Sequence, residues 1–150
     1  MGVIRITKDF RFETGHALYG YDGKCKNIHG HNFKLSVTVT GSPITDKSHP
    51  KYGMVIDFSD LKKIVNAEII DAYDHATVFN KNTRHKEEAD FLSNRGHKIL
   101  EVDFQPTSEM MVLNFAKIIT SKLPDNIKLH SLKLQETDTS CAEWFASDNE

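Results

Sequence analysis

Three histidines and one cysteine carry the most visible chemistry in this chain. The stretch "CKNIHGHNF", residues 25–33, places Cys25 four positions before His29, and His31 two positions further on. A third histidine, His16, ends the upstream segment "FETGH". A neutral imidazole is a good nitrogen donor for zinc. A catalytic zinc uses three protein ligands and keeps a fourth, open position. His16, His29 and His31 are therefore candidate ligands, provided the fold brings them together.

The flanking elements can do that. Residues 3–13, "VIRITKDFRFE", alternate, with Ile4, Ile6, Phe10 and Phe12 on one face and Arg5, Thr7, Asp9 and Arg11 on the other. "HNFKLSVTVTG" alternates in the same way, with Phe33, Leu35, Val37 and Val39 on its apolar face. Period two predicts half-buried strands. Two strands joined by one loop most simply pair antiparallel. The even positions of the first strand are apolar and His16 is even; the odd positions of the second are apolar and His29 and His31 are odd. Regular pairing then puts all three imidazoles on the covered face. Gly30, between two of them, would let backbone or ligand approach closely. Unrelated histidines share the bare spacing, and the parity match with His16 is what favours a metal. A cupin also carries His-x-His on a strand, but Asn32, Phe33 and Lys34 stand where its nearby glutamate ligand would be.

The rest of the chain reads as alternating strands and helices. "MVIDF" predicts a short strand running into a helix near Ser59, with Leu61, Ile64, Val65 and Ile69 at helical spacing and Asp57 or Ser59 as its cap. "DAYDHATVFN" ends that unit. Residues 81–97 are polar and predict a loop with a short helix. "KILEVDF" alternates. "PTSEMMVLNFAKIITSKL" predicts a second amphipathic helix, capped by Thr107 or Ser108 and stopped before Pro124. "KLHSLKLQE" and "CAEWFA" are the last strands. The order predicts a single α+β domain over residues 1–150, with an antiparallel four-stranded sheet and two helices on one face.

Composition narrows the function classes. The chain has 150 residues, a net charge of −2, two cysteines and eight histidines. Nothing in that balance calls for a nucleic-acid or membrane partner. No apolar run is long enough to span a bilayer. "MGVIRITKDF" has no signal-peptide core, which points to the cytoplasm. In that compartment Cys25 and Cys141 are expected to stay reduced.

Six segments, "FETGHAL", "CKNIHGHNFKLSVTV", "GMVIDFSDLK", "DHATVFN", "PTSE" and "LQET", resemble in order those of the 6-pyruvoyltetrahydropterin and 6-carboxytetrahydropterin synthase family. The resemblance covers nearly the whole chain. It implies the tunnelling fold, with sheets joined into a barrel on oligomerisation, usually as a hexamer made from two trimers, and active sites at subunit interfaces. It implies Zn2+ held by His16, His29 and His31. It implies Cys25 as catalytic base, Asp74 and His75 as a proton-transfer pair, Glu136 as the pterin anchor, and Thr107 and Glu109 as pocket-lining residues. The substrate implied is 7,8-dihydroneopterin triphosphate, a small-molecule pterin triphosphate.

The compact Cys-x3-His-Gly-His spacing resembles the carboxy branch, which feeds the queuosine and 7-deazapurine pathway. That branch releases triphosphate and acetaldehyde. The pyruvoyl branch eliminates only triphosphate with the same metal, base and anchor. Residues 81–104 form a segment longer than the shortest members of the family need. Two readings from other classes remain: a non-catalytic zinc and pterin binding protein, and a thiol hydrolase built on Cys25, His75 and Asp74. The hydrolase leaves His16, His29 and His31 unexplained.

Overall fold

The computed structural model describes residues 2–150. Its frame is a long antiparallel hairpin, β1 (Ile4–His16) and β2 (His29–Gly41), paired without a break from Ile4↔Gly41 to His16↔His29. The alternation in both segments favours this, because a one-residue slip would set the face of Phe10 and Phe12 against the polar face of β2 instead of beside Phe33, Leu35, Val37 and Val39. Two further antiparallel strands follow, β5 (Lys128–Thr137) against β2 and β6 (Ser140–Phe145) against β5. These four strands are the expected antiparallel set.

The sheet is nevertheless six-stranded, in the order β4-β3-β1-β2-β5-β6. The extra strands are β3 (Ala76–Asn80) and β4 (Ile99–Val102), and both pairings, β3 with β1 and β3 with β4, are parallel. Parallel neighbours need a crossover, and helix α3 (His85–Asn94) supplies it. A small satellite core of Ala17, Phe79 and Ala89 lies there, with Leu92 and Ile99 packed against it.

The strand expected at "MVIDF" does not form. Residues 54–57 are irregular and follow a turn at Gly53, whose φ is +83°. The Gly53 N–H donates to Ile44 O, and Ile44 N–H donates to Met54 O. The segment's apolar residues instead serve as a lead-in to helix α1 (Phe58–Val65), with Val55 buried in the main core. Asp57 caps α1 by accepting from the Ser59 N–H at 2.8 Å. The helix continues through a π-helical stretch, Asn66–Ile70, into the short α2 (Asp71–Tyr73).

Helix α4 (Ser108–Lys122) starts at the Thr107 cap and buries Met111, Val112, Phe115, Ala116 and Ile119. Together with Leu61, Val65 and Ile69 of the first helical run it joins one hydrophobic core with the apolar face of the sheet. An aromatic stack of Phe12 on Phe33, edged by Tyr73 and Phe115, sits next to the histidine end of the hairpin. Among the described residues no helix is long and apolar enough to cross a membrane.

Candidate metal centre

The hairpin register decides which side chains meet at its loop end. His16 lies directly opposite His29, and Thr14 lies opposite His31. The ring centroids of His16 are 4.6 Å from His29 and 5.2 Å from His31, and those of His29 and His31 are 4.9 Å apart. One ligand atom from each residue falls within 4.8 Å of the others. The convergence expected from strand parity is therefore present.

Hydrogen bonds set the tautomers of two rings. His16 Nδ1 lies 2.6 Å from the carbonyl of Pro106, just ahead of α4, and His29 Nδ1 lies 2.7 Å from the carbonyl of Asn27. A carbonyl only accepts, so each Nδ1 carries the proton and each Nε2 presents its lone pair. The Nε2 atoms of His16, His29 and His31 are all buried without a hydrogen-bond partner. Three orphaned ring nitrogens this close together, two of them fixed as acceptors, are costly unless something binds them. Burial holds the His16 imidazole below its ordinary pKa, against the opposing Pro106 hydrogen bond, and His29 adds to the shift. Burial also lowers His31, opposed by Glu136. Neutral rings are the form a metal requires. The donor set fits zinc: three neutral nitrogens, two with carbonyl-fixed orientation, and no fourth protein ligand forced on the site.

Glu136 reaches the cluster. Its Oε1 lies 3.3 Å from His31 Nε2 and 3.5 Å from His16 Nε2, with the side chain 26 % exposed. Glu136 continues the apolar parity of Leu132 and Leu134 along β5, and the β5–β6 register shift between Gln135 and Thr137 leaves it unpaired with β6 as a bulge residue. No lysine pairs with it among the described residues.

Asp74 and His75 form the expected pair, with His75 Nδ1 3.1 Å from Asp74 Oδ1. The same oxygen accepts the Glu13 N–H at 2.9 Å. That backbone bond, ahead of His75 and Lys98, holds the Asp74 carboxyl below its ordinary pKa. His75 has φ +61°, the one non-glycine residue with positive φ among the described residues. Its Nε2 lies 3.6 Å from Glu13 Oε2. Glu13 alternates away from Phe12, Thr14 and His16, so the pair stands on the sheet face opposite the imidazole cluster. It borders an open cleft of about 480 Å³ lined by Glu13, Gly15, Gly30 and Thr77. Gly15 and Gly30 face each other across the hairpin, and a Cβ on Gly30 would lie 3.3 Å from Thr14 O. The close approach at Gly30 is thus an approach of backbone.

Cys25 lies in a 3-10 turn, Lys24–Lys26, within the loop between the two ligand strands, and its carbonyl accepts the Leu18 N–H at 3.0 Å. Its thiol is free and half-buried. Thr107 spends its hydroxyl on capping α4, accepting from Met110 N–H, while Glu109 is exposed in the first turn. Both follow the carbonyl that orients His16. Sequence reasoning missed the second-sphere groups: Pro106, Asn27 and Glu13. The first two act through backbone, which side-chain chemistry does not advertise. Glu13 was readable only as a polar position of a strand.

Comparison with known proteins agrees with this construction. The family model described as "6-pyruvoyl tetrahydropterin synthase" matches residues 5–147. The 6-carboxy-5,6,7,8-tetrahydropterin synthase of Haemophilus influenzae is 39 % identical, over 95 % of this chain and 99 % of its own. The protein of the same name from Rickettsia typhi is 32 % identical, over 94 % and 99 %. Among solved structures, an uncharacterized protein of Wolinella succinogenes superimposes with a TM-score of 0.74 at 21 % identity, over 97 % of this chain and 99 % of that one. The Caenorhabditis elegans 6-pyruvoyl tetrahydropterin synthase gives 0.68 at 22 %, over 97 % of both. The fold is therefore the α+β tunnelling fold of pterin synthases. The chain belongs to the 6-pyruvoyl tetrahydropterin synthase family.

Proposed function

We propose that this protein is a zinc-dependent 6-carboxy-5,6,7,8-tetrahydropterin synthase, a lyase that converts 7,8-dihydroneopterin triphosphate with release of triphosphate and acetaldehyde. The observation that carries the reading is the set of three orphaned, buried Nε2 atoms on the end of the hairpin. The identically named relatives support the carboxy branch. The product would enter the queuosine and 7-deazapurine pathway in the cytoplasm.

His16, His29 and His31 would hold the ion. When bound, zinc supplies Lewis acidity at its open position, where substrate hydroxyls are polarised. Glu136 stands beside His16 and His31 and would accept the amide and amino N–H groups on one edge of the pterin, as a carboxylate does with any paired donor edge. Cys25, on the loop joining the ligand strands, acts in its thiolate form, which takes a proton from the side-chain carbon and becomes the thiol. His75, oriented by Asp74 through Nδ1, moves a proton at Nε2. Thr107 and Glu109 border the pocket at the start of α4.

The pair is exposed, with His75 72 % and Asp74 40 % accessible, and it faces away from its own chain's imidazoles. It serves the metal centre of a neighbouring copy in a hexamer built from two trimers. That arrangement also accounts for an open cleft beside an oriented histidine.

The test is a product assay on zinc-loaded protein. With 7,8-dihydroneopterin triphosphate, a carboxypterin and an equal amount of acetaldehyde are expected. A pyruvoyl product without acetaldehyde would overturn the branch while leaving the site standing. Absence of turnover by a metal-replete hexamer would overturn the enzyme reading and favour a zinc and pterin binding protein.

A further inference from the structure

Residues 81–104 hold one side chain that reaches back to the Asp74–His75 pair. Lys98, which immediately precedes β4, donates from Nζ to Asp71 O at 2.6 Å and to Asp74 O at 2.7 Å. Both acceptors lie at the C-terminal end of the helical run that finishes with α2, where carbonyls lack intrahelical partners. A lysine is a common solution there, and its charge strengthens both bonds.

The particular carbonyl matters more than the cap. Asp74 O belongs to the peptide unit that joins Asp74 to His75. The other end of the same plane is the His75 N–H, which donates to Glu13 O at 2.6 Å. One peptide plane is thus pinned at both ends, by Lys98 on the oxygen and by β1 on the nitrogen. Directly beyond it His75 takes φ +61°, a region that a side-chain-bearing residue keeps only when its surroundings enforce it. Lys98 is itself anchored on the far side, because Thr77 N–H donates to its carbonyl at 3.0 Å. The lysine therefore ties the helix end before the pair to the strand after it.

We propose that Lys98 is a positioning residue for His75, holding the peptide plane that aims the imidazole. This gives the 81–104 segment a role: its α3 and β4 deliver one ammonium group to the turn that carries the pair. The inference rests on the reading of Asp74 and His75 as the proton-transfer pair.

The experiment uses the zinc-loaded full chain and 7,8-dihydroneopterin triphosphate, with kcat and KM measured separately. Lys98→Met is expected to lower kcat about tenfold to a hundredfold, the cost of a misplaced catalytic group, with KM and metal content unchanged. Lys98→Arg, which keeps charge and donors, is expected to restore most of kcat. In a His75→Ala background, where residual turnover is followed at high enzyme concentration, Lys98→Met is expected to add no further loss. If Lys98→Met does not fold, Lys98→Gln is held to the same criteria. Full kcat in the lysine variant beside a large loss in His75→Ala would overturn the inference alone. An equal further loss on top of His75→Ala would also overturn it, because a purely structural role is additive. Undiminished turnover by His75→Ala would overturn the reading of the pair itself, and the inference with it.

Discussion

His16 and His29 should fail differently when removed, although both are proposed as metal ligands. His16 is 1 % exposed, packs edge-on to Phe33, and gives its Nδ1 proton to the buried Pro106 carbonyl. His16→Ala removes a buried ring, worth about 2 kcal/mol in packing. It also leaves a buried carbonyl without its donor, which costs about 1–3 kcal/mol. The metal-free variant should lose roughly 3–5 kcal/mol, a fall in Tm on the order of 10 °C for a chain of this size. His29 is half-buried and its carbonyl partner belongs to exposed Asn27, which water can satisfy. His29→Ala should cost the metal-free protein less than about 1 kcal/mol. Metal reverses the contrast. Zinc at about a thousand times its Kd should stabilise the parent by about 4 kcal/mol, and neither variant should gain it. Scanning calorimetry in chelator and then in zinc, at one protein concentration, reads both quantities. Equal destabilisation of the two metal-free variants, or full zinc stabilisation of His16→Ala, would refute the account of the site.

Gly30→Val should disturb the hairpin where β1 backbone lies 3.3 Å from the missing Cβ, and equilibrium dialysis should show weakened zinc binding. Phe115→Ala should cost about 3–5 kcal/mol in denaturant unfolding, since its fully buried ring contacts Phe12 and Tyr73. Asp57 is held far below the ordinary carboxylate pKa, first by the Lys51 hydrogen bond and then by the Ser59 N–H and hydroxyl. A depressed folded pKa contributes stability that is present above the unfolded value and lost as pH falls through the folded one. Asp57→Asn should therefore lower the urea midpoint near neutrality, and the gap to the parent should begin to narrow below about pH 4 and close only as pH falls further through the folded value. Cys25→Ser should keep its zinc, measured by metal analysis, while turnover falls at least about a hundredfold.

What could be read in advance was whatever alternates. The β1–β2 hairpin has one buried face over its whole length, so parity alone placed His16, His29 and His31 together. β3 gave no such signal. It is short and mostly buried, reading Ala-Thr-Val-Phe-Asn, and a strand covered on both sides loses the period-two pattern. "MVIDF" misled for the opposite reason, because its apolar residues pack as a helix lead-in without strand pairing. Glu136 was correctly placed on the apolar parity of its strand, but the bulge at that position belongs to the β5–β6 pairing and has no local signature. The opposite-face position of Asp74 and His75 follows from a parallel pairing across β1, a long-range fact.

The hairpin also sets an order of events for the newly made chain. The three histidines proposed as ligands come from two neighbouring strands, so a metal cage built on them would be a local structure. The carbonyl that locks His16 lies 90 positions further along. Loop closure makes nearby contacts fast and distant ones slow. On the proposed assignment the hairpin would begin to hold metal before the C-terminal half docks, with His16 then free to present either ring nitrogen. Arrival of Pro106 at the head of α4 would then fix the tautomer, and the cage would become rigid only when α4 docks.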